Sequence, residues 1–154
     1  MPNPKLELKQ KLLAECLRMQ NTVVDTARQA MTEAHESALE YDEAAEDNMV
    51  DSYREEMQSK RDMFARQLEH AMEDLALLHK VPADREQDSA LFGSVIITDQ
   101  QKLIVCISLG QVKLNNDTFI AISVAAPLFK VLNGLKAGQS FPFRDKQVKI
   151  LEVY

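Results

Sequence analysis

Residues 123–141 read SVAAPLFKVLNGLKAGQSF. Pro127 suits the first turn of a helix, where its missing N–H costs nothing, and Gly134 suits the position just past the helix end. A short helix over APLFKVLNGLKAG is therefore expected in the middle of a strand-rich region. Upstream of it, GSVIITD, KLIVCISLG and TFIAISV are dense in β-branched residues and bounded by Gly, Asp and Gln, as strands are. Downstream, QSFPFRD and KQVKILEVY read as two strands joined by a tight turn near Asp145. Residues 91–154 are thus expected to form a small, mostly antiparallel sheet with one helix packed on it, an α+β domain.

Ahead of this domain the periodicity changes from strand to helix. Residues 5–41 read as one long helix with no interior Pro or Gly. Leu13, Cys16, Val23, Ala27, Ala30, Ala34 and Tyr41, beside a row of Leu17, Val24, Met31 and Ala38, make an apolar stripe with the charges outside it. Residues 47–80 read as a second helix, striped by Val50, Tyr53, Met57, Phe64, Leu68, Ala71, Leu75 and Leu78. The few residues between the helices impose an antiparallel turn, so each stripe buries the other. Ala27, Ala30 and Ala34 permit a close approach near that turn. A helix over residues 5–41 would be roughly 55 Å long. The division expected is a coiled-coil hairpin over 1–80, a linker over 81–90 that Pro82 opens, and the sheet domain over 91–154.

The chain has 154 residues and a net charge of −6, unevenly placed. Residues 33–56 hold ten acids and one Arg, whereas residues 89–154 carry seven bases and four acids. A broad basic face for nucleic acid is not expected. The apolar runs are far shorter than a bilayer span, and MPNPKLELKQ lacks the apolar segment of a signal peptide, so a soluble, cytoplasmic protein without a membrane partner is expected. Cys16 and Cys106 lie ninety residues apart and neither belongs to a Cys-x-x-Cys pair, which argues against structural zinc. A disulfide requires the two to meet in space, and a reducing cytoplasm disfavours it. Each is expected as a small buried side chain.

Self-contained catalytic motifs are missing from the sequence. His35, His70 and His79 have neither the i, i+4 spacing of a zinc protease nor a carboxylate three residues earlier. There is no phosphate loop and no nucleophile elbow. What stands out is the expected hairpin tip, EYDEAAEDNMVD over residues 40–51, with six acids and no base. Asp42, Glu43, Glu46 and Asp47 surround the turn. Acids at the start of the second helix complement its dipole. Glu33, Glu36 and Glu40, at the end of the first helix, oppose the dipole and repel one another, so this charge costs stability. Carboxylates at the tip of a rigid hairpin can supply hard oxygen ligands to a Mg²⁺ held in another protein's site. A free EF-hand does not fit, because the stretch lacks the required Gly and the alternating ligand positions.

A long acidic-tipped hairpin followed by a small sheet domain resembles the bacterial Gre family of transcript-cleavage factors, in order and in length. The most specific segment is again SVAAPLFKVLNGLKAGQSF, which is similar to the Gre C-terminal pattern Ser-x-x-Pro-[Ile/Leu]-x-x-x-Leu-x-Gly-x-x-x-Gly with one extra residue between Ser123 and Pro127. The closing VKILEVY is also of that kind. The resemblance implies an FK506-binding-protein-like C-terminal domain that docks at the rim of the RNA polymerase secondary channel. It implies a hairpin that enters the channel, where tip acids help hold the second catalytic Mg²⁺ while the polymerase hydrolyses its own backtracked RNA. Contact with nascent RNA would be indirect. The factor would be an accessory rather than an enzyme, with no cofactor of its own.

In the Gre family the tip reads Asp-x-x-Glu-Asn, with an Arg eight residues after the Glu. Set without gaps on this chain, the pattern falls on Glu43, Glu46, Asp47 and Arg54. Glu43 and Glu46 are then the implied metal ligands, with Asp42, Asp47 and Arg54 as auxiliaries. Glu stands where the family has Asp, and Ala44 and Ala45 stand where it has a basic residue between the acids. Three other functions remain open from the sequence: a channel-binding regulator that does not stimulate cleavage, an acidic-hairpin adaptor for another basic partner, and a peptidyl-prolyl isomerase using the aromatic side chains of residues 91–154.

Overall fold

The computed structural model describes the backbone of residues 3–44 and 49–154, and the side chains of 3–37 and 52–154. Helix α1 (Pro4–Ala44) and helix α2 (Met49–Leu78) are followed by β1 (Val95–Thr98), β2 (Lys102–Cys106), β3 (Gly110–Leu114) and β4 (Asp117–Ser123). Helix α3 (Pro127–Leu132) then precedes β5 (Ser140–Phe143) and β6 (Lys146–Val153). By packing, the chain forms two compact units, Met1–Met19 with Ala76–Tyr154, and Gln20–Leu75.

In the Gln20–Leu75 unit, α1 and α2 run antiparallel. Tyr53, Met57, Phe64, Leu68, Ala71 and Leu75 form the inward stripe of α2 as expected, with Arg61 filling the one gap in its 3–4 spacing. The stripe of α1 departs from the sequence reading. Val23 is exposed, and the polar Gln20 is buried in its stead beside Val24. Gln20 is tolerated there because its Nε2 donates to the carbonyl of Ala71 at 2.8 Å. A buried polar bond of this kind sets the register of two helices. Gln20→Leu is expected to loosen that register, read as loss of a single set of amide NMR resonances for α2 around Ala71.

The other unit is a six-stranded sheet in the order β3-β4-β2-β1-β6-β5. Its pairings are antiparallel except β2 with β4, which is parallel. That exception arises because β3 lies between them in the chain. The chain leaves β2, reaches the sheet edge as β3, and turns back through Asn115 at φ 56° to insert β4 between the two. β3 was not expected: GQVKL has one inward apolar residue, Val112, too few to read as a strand. The β5–β6 turn falls where expected, with Arg144 and Asp145 at φ 50° and 64°. β6 also carries a β-bulge, for Ile97 faces Glu152 while Thr98 faces Ile150, leaving Leu151 over.

Each face of the sheet is covered. On one, Leu12 and Cys16 of α1 and Leu78 of α2 pack with Val95, Ile104, Cys106, Phe119 and Tyr154. On the other, Phe129 and Leu132 of α3 pack with Ile96, Leu103, Val105, Phe141 and Ile150. Lys9 lies on the covered stripe of α1 and is wholly buried; its Nζ donates to the Arg85 carbonyl at 3.2 Å, and Gln10 Nε2 reaches the Ala83 carbonyl at the same distance. Residues 81–90, read as a polar linker, thus lie along α1 and offer it backbone acceptors.

Two predictions concern this unit. Gly93 has φ +88°, and a Cβ there would meet Pro82 Cδ at 2.6 Å. Gly93→Ala is expected to cost roughly 1–3 kcal/mol through strain and displacement of Pro82, measured as a lower urea midpoint. Tyr154 is buried in the core, and burial first, then the nearby charges of Glu152 and Asp117, push its phenol up to about 12. Its folded-state value lies above the unfolded one, so the folded chain keeps its proton longer. That contribution is complete below about pH 10 and is lost as pH rises towards 12, by about 2 kcal/mol. Denaturation midpoints of wild type and Tyr154→Phe are expected to diverge over that window.

Candidate functional site

Two regions carry the residues that the sequence singles out, one in each unit. In the helical unit the small side chains of α1 face large ones of α2. Ala30, Ala34 and Ser37 on one helix and Tyr53, Met57 and Phe64 on the other line an open groove of about 380 Å³. The small residues of α1 thus border an open groove along this stretch. Arg61 Nη1 lies 3.5 Å from His35 Nδ1 across the pair. Glu33 is held along α1 by Gln29, whose Nε2 donates to its Oε1 at 3.2 Å.

The expected tip residues are only partly placed. Asp42 and Glu43 fall in the last turn of α1, where the backbone alone is described. Glu46 and Asp47 lie outside the described residues. Arg54 stands one turn into α2 and is half-buried. Among the described residues, no three His, Cys, Asp or Glu side chains converge to hold a metal ion. No described helix is long and apolar enough to cross a membrane.

In the sheet unit, residues 123–141 form the end of β4, α3 and the start of β5. Ser123 Oγ accepts the Ala125 N–H at 3.2 Å and its carbonyl accepts the Ala126 N–H at 3.1 Å, which turns the chain out of the sheet. Pro127 opens α3, so that helix starts without a side-chain cap. Its inward residues Phe129 and Leu132 are buried, while Val124 and Val131 are exposed. Gly134, at φ 80°, ends the helix and donates to the Ala90 carbonyl at 2.8 Å; Ala90 returns a 2.8 Å bond to the Leu135 carbonyl. Gly138, at φ 91°, donates to Ile150 and leads into β5. The segment is therefore pinned at three points, and the extra residue before Pro127 is absorbed in the turn after Ser123.

Sequence reading missed the polar members of the buried α1 stripe, Lys9 and Gln20, and the placing of both cysteines in one core cluster. Both cysteines are buried there. The signal for the first was present: Lys9, Leu12, Cys16, Gln20 and Val24 recur at three and four residues, if polarity is set aside.

No family model and no curated protein matches the chain. Among solved structures, that of the transcription factor Gfh1 is similar at 17% identity over 90% of this chain and 92% of its own, with a TM-score of 0.36. A likeness of that degree assigns no function, which therefore has to be argued from this chain's own residues.

Proposed function

We propose that the protein is an RNA polymerase secondary-channel factor of the Gre type. The observation that carries this reading is a combination within one chain: an antiparallel helical hairpin, acidic where α1 ends, and a sheet unit whose 123–141 segment follows the Gre C-terminal pattern. The strand–turn–helix–Gly geometry of that segment uses Pro127, Gly134 and Gly138 at the spacing of the pattern, with Ser123 one residue further upstream.

In this reading the tip carboxylates act in trans. Glu43 and Glu46 supply oxygen ligands to the second Mg²⁺ of the polymerase active site, and Asp42, Asp47 and Arg54 assist. Carboxylate is the donor that Mg²⁺ prefers, and a hairpin that contributes only one or two ligands leaves the ion dependent on the polymerase and RNA phosphates. Glu43 and Glu46 would help hold the ion, which when bound would supply activation of the attacking water; the chain's own part is to place the carboxylates. A second reading, a channel-binding regulator that does not stimulate cleavage, is favoured by Ala44 and Ala45, which leave no basic side chain between the acids.

Binding tests both at once. The purified protein is expected to bind core RNA polymerase from its own host and to displace a labelled Gre-type cleavage factor from it. Binding without displacement would place it elsewhere on the enzyme, and the absence of binding would remove both readings. A proline-limited refolding assay is expected to show no acceleration.

A further inference from the structure

We propose that a small pocket at one end of the sheet binds a nucleoside monophosphate. The pocket, of about 290 Å³, is lined by Gln100, Gln101, Phe143, Arg144, Lys146 and Val148. It lies where two turns come side by side, residues 99–101 between β1 and β2 and residues 144–145 between β5 and β6. Backbone bonds tie the first turn to β6: the Asp99 N–H donates to the Lys149 carbonyl at 3.0 Å, and Asp99 Oδ1 accepts the Lys149 N–H at 3.1 Å. Thr98 braces the same turn, its Oγ1 accepting the N–H groups of Gln100 and Gln101 at 3.2 and 2.9 Å. The lining is therefore held on the ends of paired strands, which gives a site a fixed geometry.

Strand geometry decides which side chains meet there. Phe143 is paired directly with Lys146, and Val148 follows two residues on, so all three share one face of the β5–β6 ribbon. Phe143 and Val148 belong to the core on the α3 side of the sheet, which gives the pocket an apolar floor. Arg144 Cζ lies 5.1 Å from the centroid of the Phe143 ring, a contact that holds the guanidinium over it. Among the described residues neither Arg144 nor Lys146 is ion-paired. Of the acids in the two turns, Asp99 is engaged by the Lys149 backbone and Asp145 pairs with neither cation. Two uncompensated cations at one pocket stand out in a chain of net charge −6. They fit a phosphate, to which Arg offers a fork of donors and Lys a point charge. Phosphate alone would leave the rest of the lining unused. The Phe143–Arg144 stack and Val148 present a surface for a flat ring. Only the backbone of Gln100 and Gln101 is engaged in the turn, so their side-chain amides can donate to and accept from the edge of a base. The volume stands at the lower end for ligand sites, about 300 Å³, which suits a single nucleotide over a dinucleotide. The proposal goes beyond polymerase binding and is independent of it.

The test uses the full chain, labelled with nitrogen-15, in about 0.15 M salt, where long-range attraction of anions is screened. AMP, GMP, CMP and UMP are the probes, with adenosine and inorganic phosphate as the two half-ligands. The expected result is saturable amide shifts centred on Gln100, Gln101, Arg144 and Lys146 with at least one nucleotide, and binding of both half-ligands weaker by about tenfold or more. Arg144→Gln and Lys146→Gln, both at exposed positions, are each expected to weaken that nucleotide by about tenfold while the remaining resonances stay in place. Should a variant fail to fold, the wild-type shift map and the half-ligand comparison still decide. No saturable shift, shifts centred elsewhere, folded variants that bind as well as wild type, or a half-ligand bound as tightly as the best nucleotide would each overturn the proposal.

Discussion

A protein carrying both Glu43→Ala and Glu46→Ala is expected to lose roughly 100-fold or more of its ability to stimulate RNA cleavage, with polymerase binding retained. The separation follows from where the residues stand. The tip acids are the proposed metal ligands, whereas the sheet unit, and the 123–141 segment in it, is the proposed docking element. Removing two carboxylates takes away ligands, and loss of Glu43 also relieves its repulsion with Glu40 in the last turns of α1. The double variant is therefore expected to be at least as stable as wild type, so lost activity cannot be ascribed to unfolding. Thermal melting of the two proteins, run beside single-round cleavage at fixed Mg²⁺, checks both halves. Asp substituted at position 43, as in the Gre pattern, is expected to preserve or increase cleavage, because the shorter side chain matches the geometry that pattern implies.

The second large effect lies in the sheet core. Phe119→Ala on β4 is expected to cost about 3–5 kcal/mol. Phe119 is almost wholly buried in the cluster that α1 and α2 complete, against Leu12, Cys16, Leu78 and Ile104. Its neighbours come from two helices and several strands, so the site cannot collapse around the smaller side chain without moving several elements. Lys102 Nζ also lies 5.7 Å from the ring centroid while ion-paired to Asp117 at 2.8 Å, a contact the Ala variant would lose as well. The measurement is the urea midpoint; Phe119→Leu, which keeps most of the volume, is expected to recover most of the loss.

How far the fold could be read in advance depended on how plainly each element declares its period. The α2 stripe was legible because its inward positions are apolar almost throughout, from Tyr53 to Leu78. The α1 stripe was legible in kind and displaced in detail. Lys9 and Gln20 occupy buried positions only because backbone carbonyls of Arg85 and Ala71 satisfy them, and those partners are 76 and 51 residues away. Val23, apolar and exposed, then drew the stripe to the wrong side. β3 escaped because an edge strand needs only one inward apolar residue, and the parallel β2–β4 pairing follows from that missing strand. Pro127, Gly134 and the Asp145 turn were legible because their backbone chemistry is local.

The candidate site was legible chiefly as charge. Acid density at residues 40–51 needs no tertiary information, and Arg54 is found in the first turns of α2. The groove beside Ala30 and Ala34 was not foreseen, since its volume depends on Tyr53, Met57 and Phe64 opposite. That both cysteines share one core cluster was out of reach, since ninety residues separate the two and the cluster forms only when α1 packs on the sheet.

The most direct measurement of the central claim is RNA cleavage in a stalled, backtracked elongation complex assembled with the host's own polymerase. The proposed function predicts that wild-type protein releases short 3′ RNA fragments rapidly in the presence of Mg²⁺ and lets the complex resume elongation. Intact RNA, together with no competition against a known cleavage factor, would contradict it and leave the acidic hairpin to another partner.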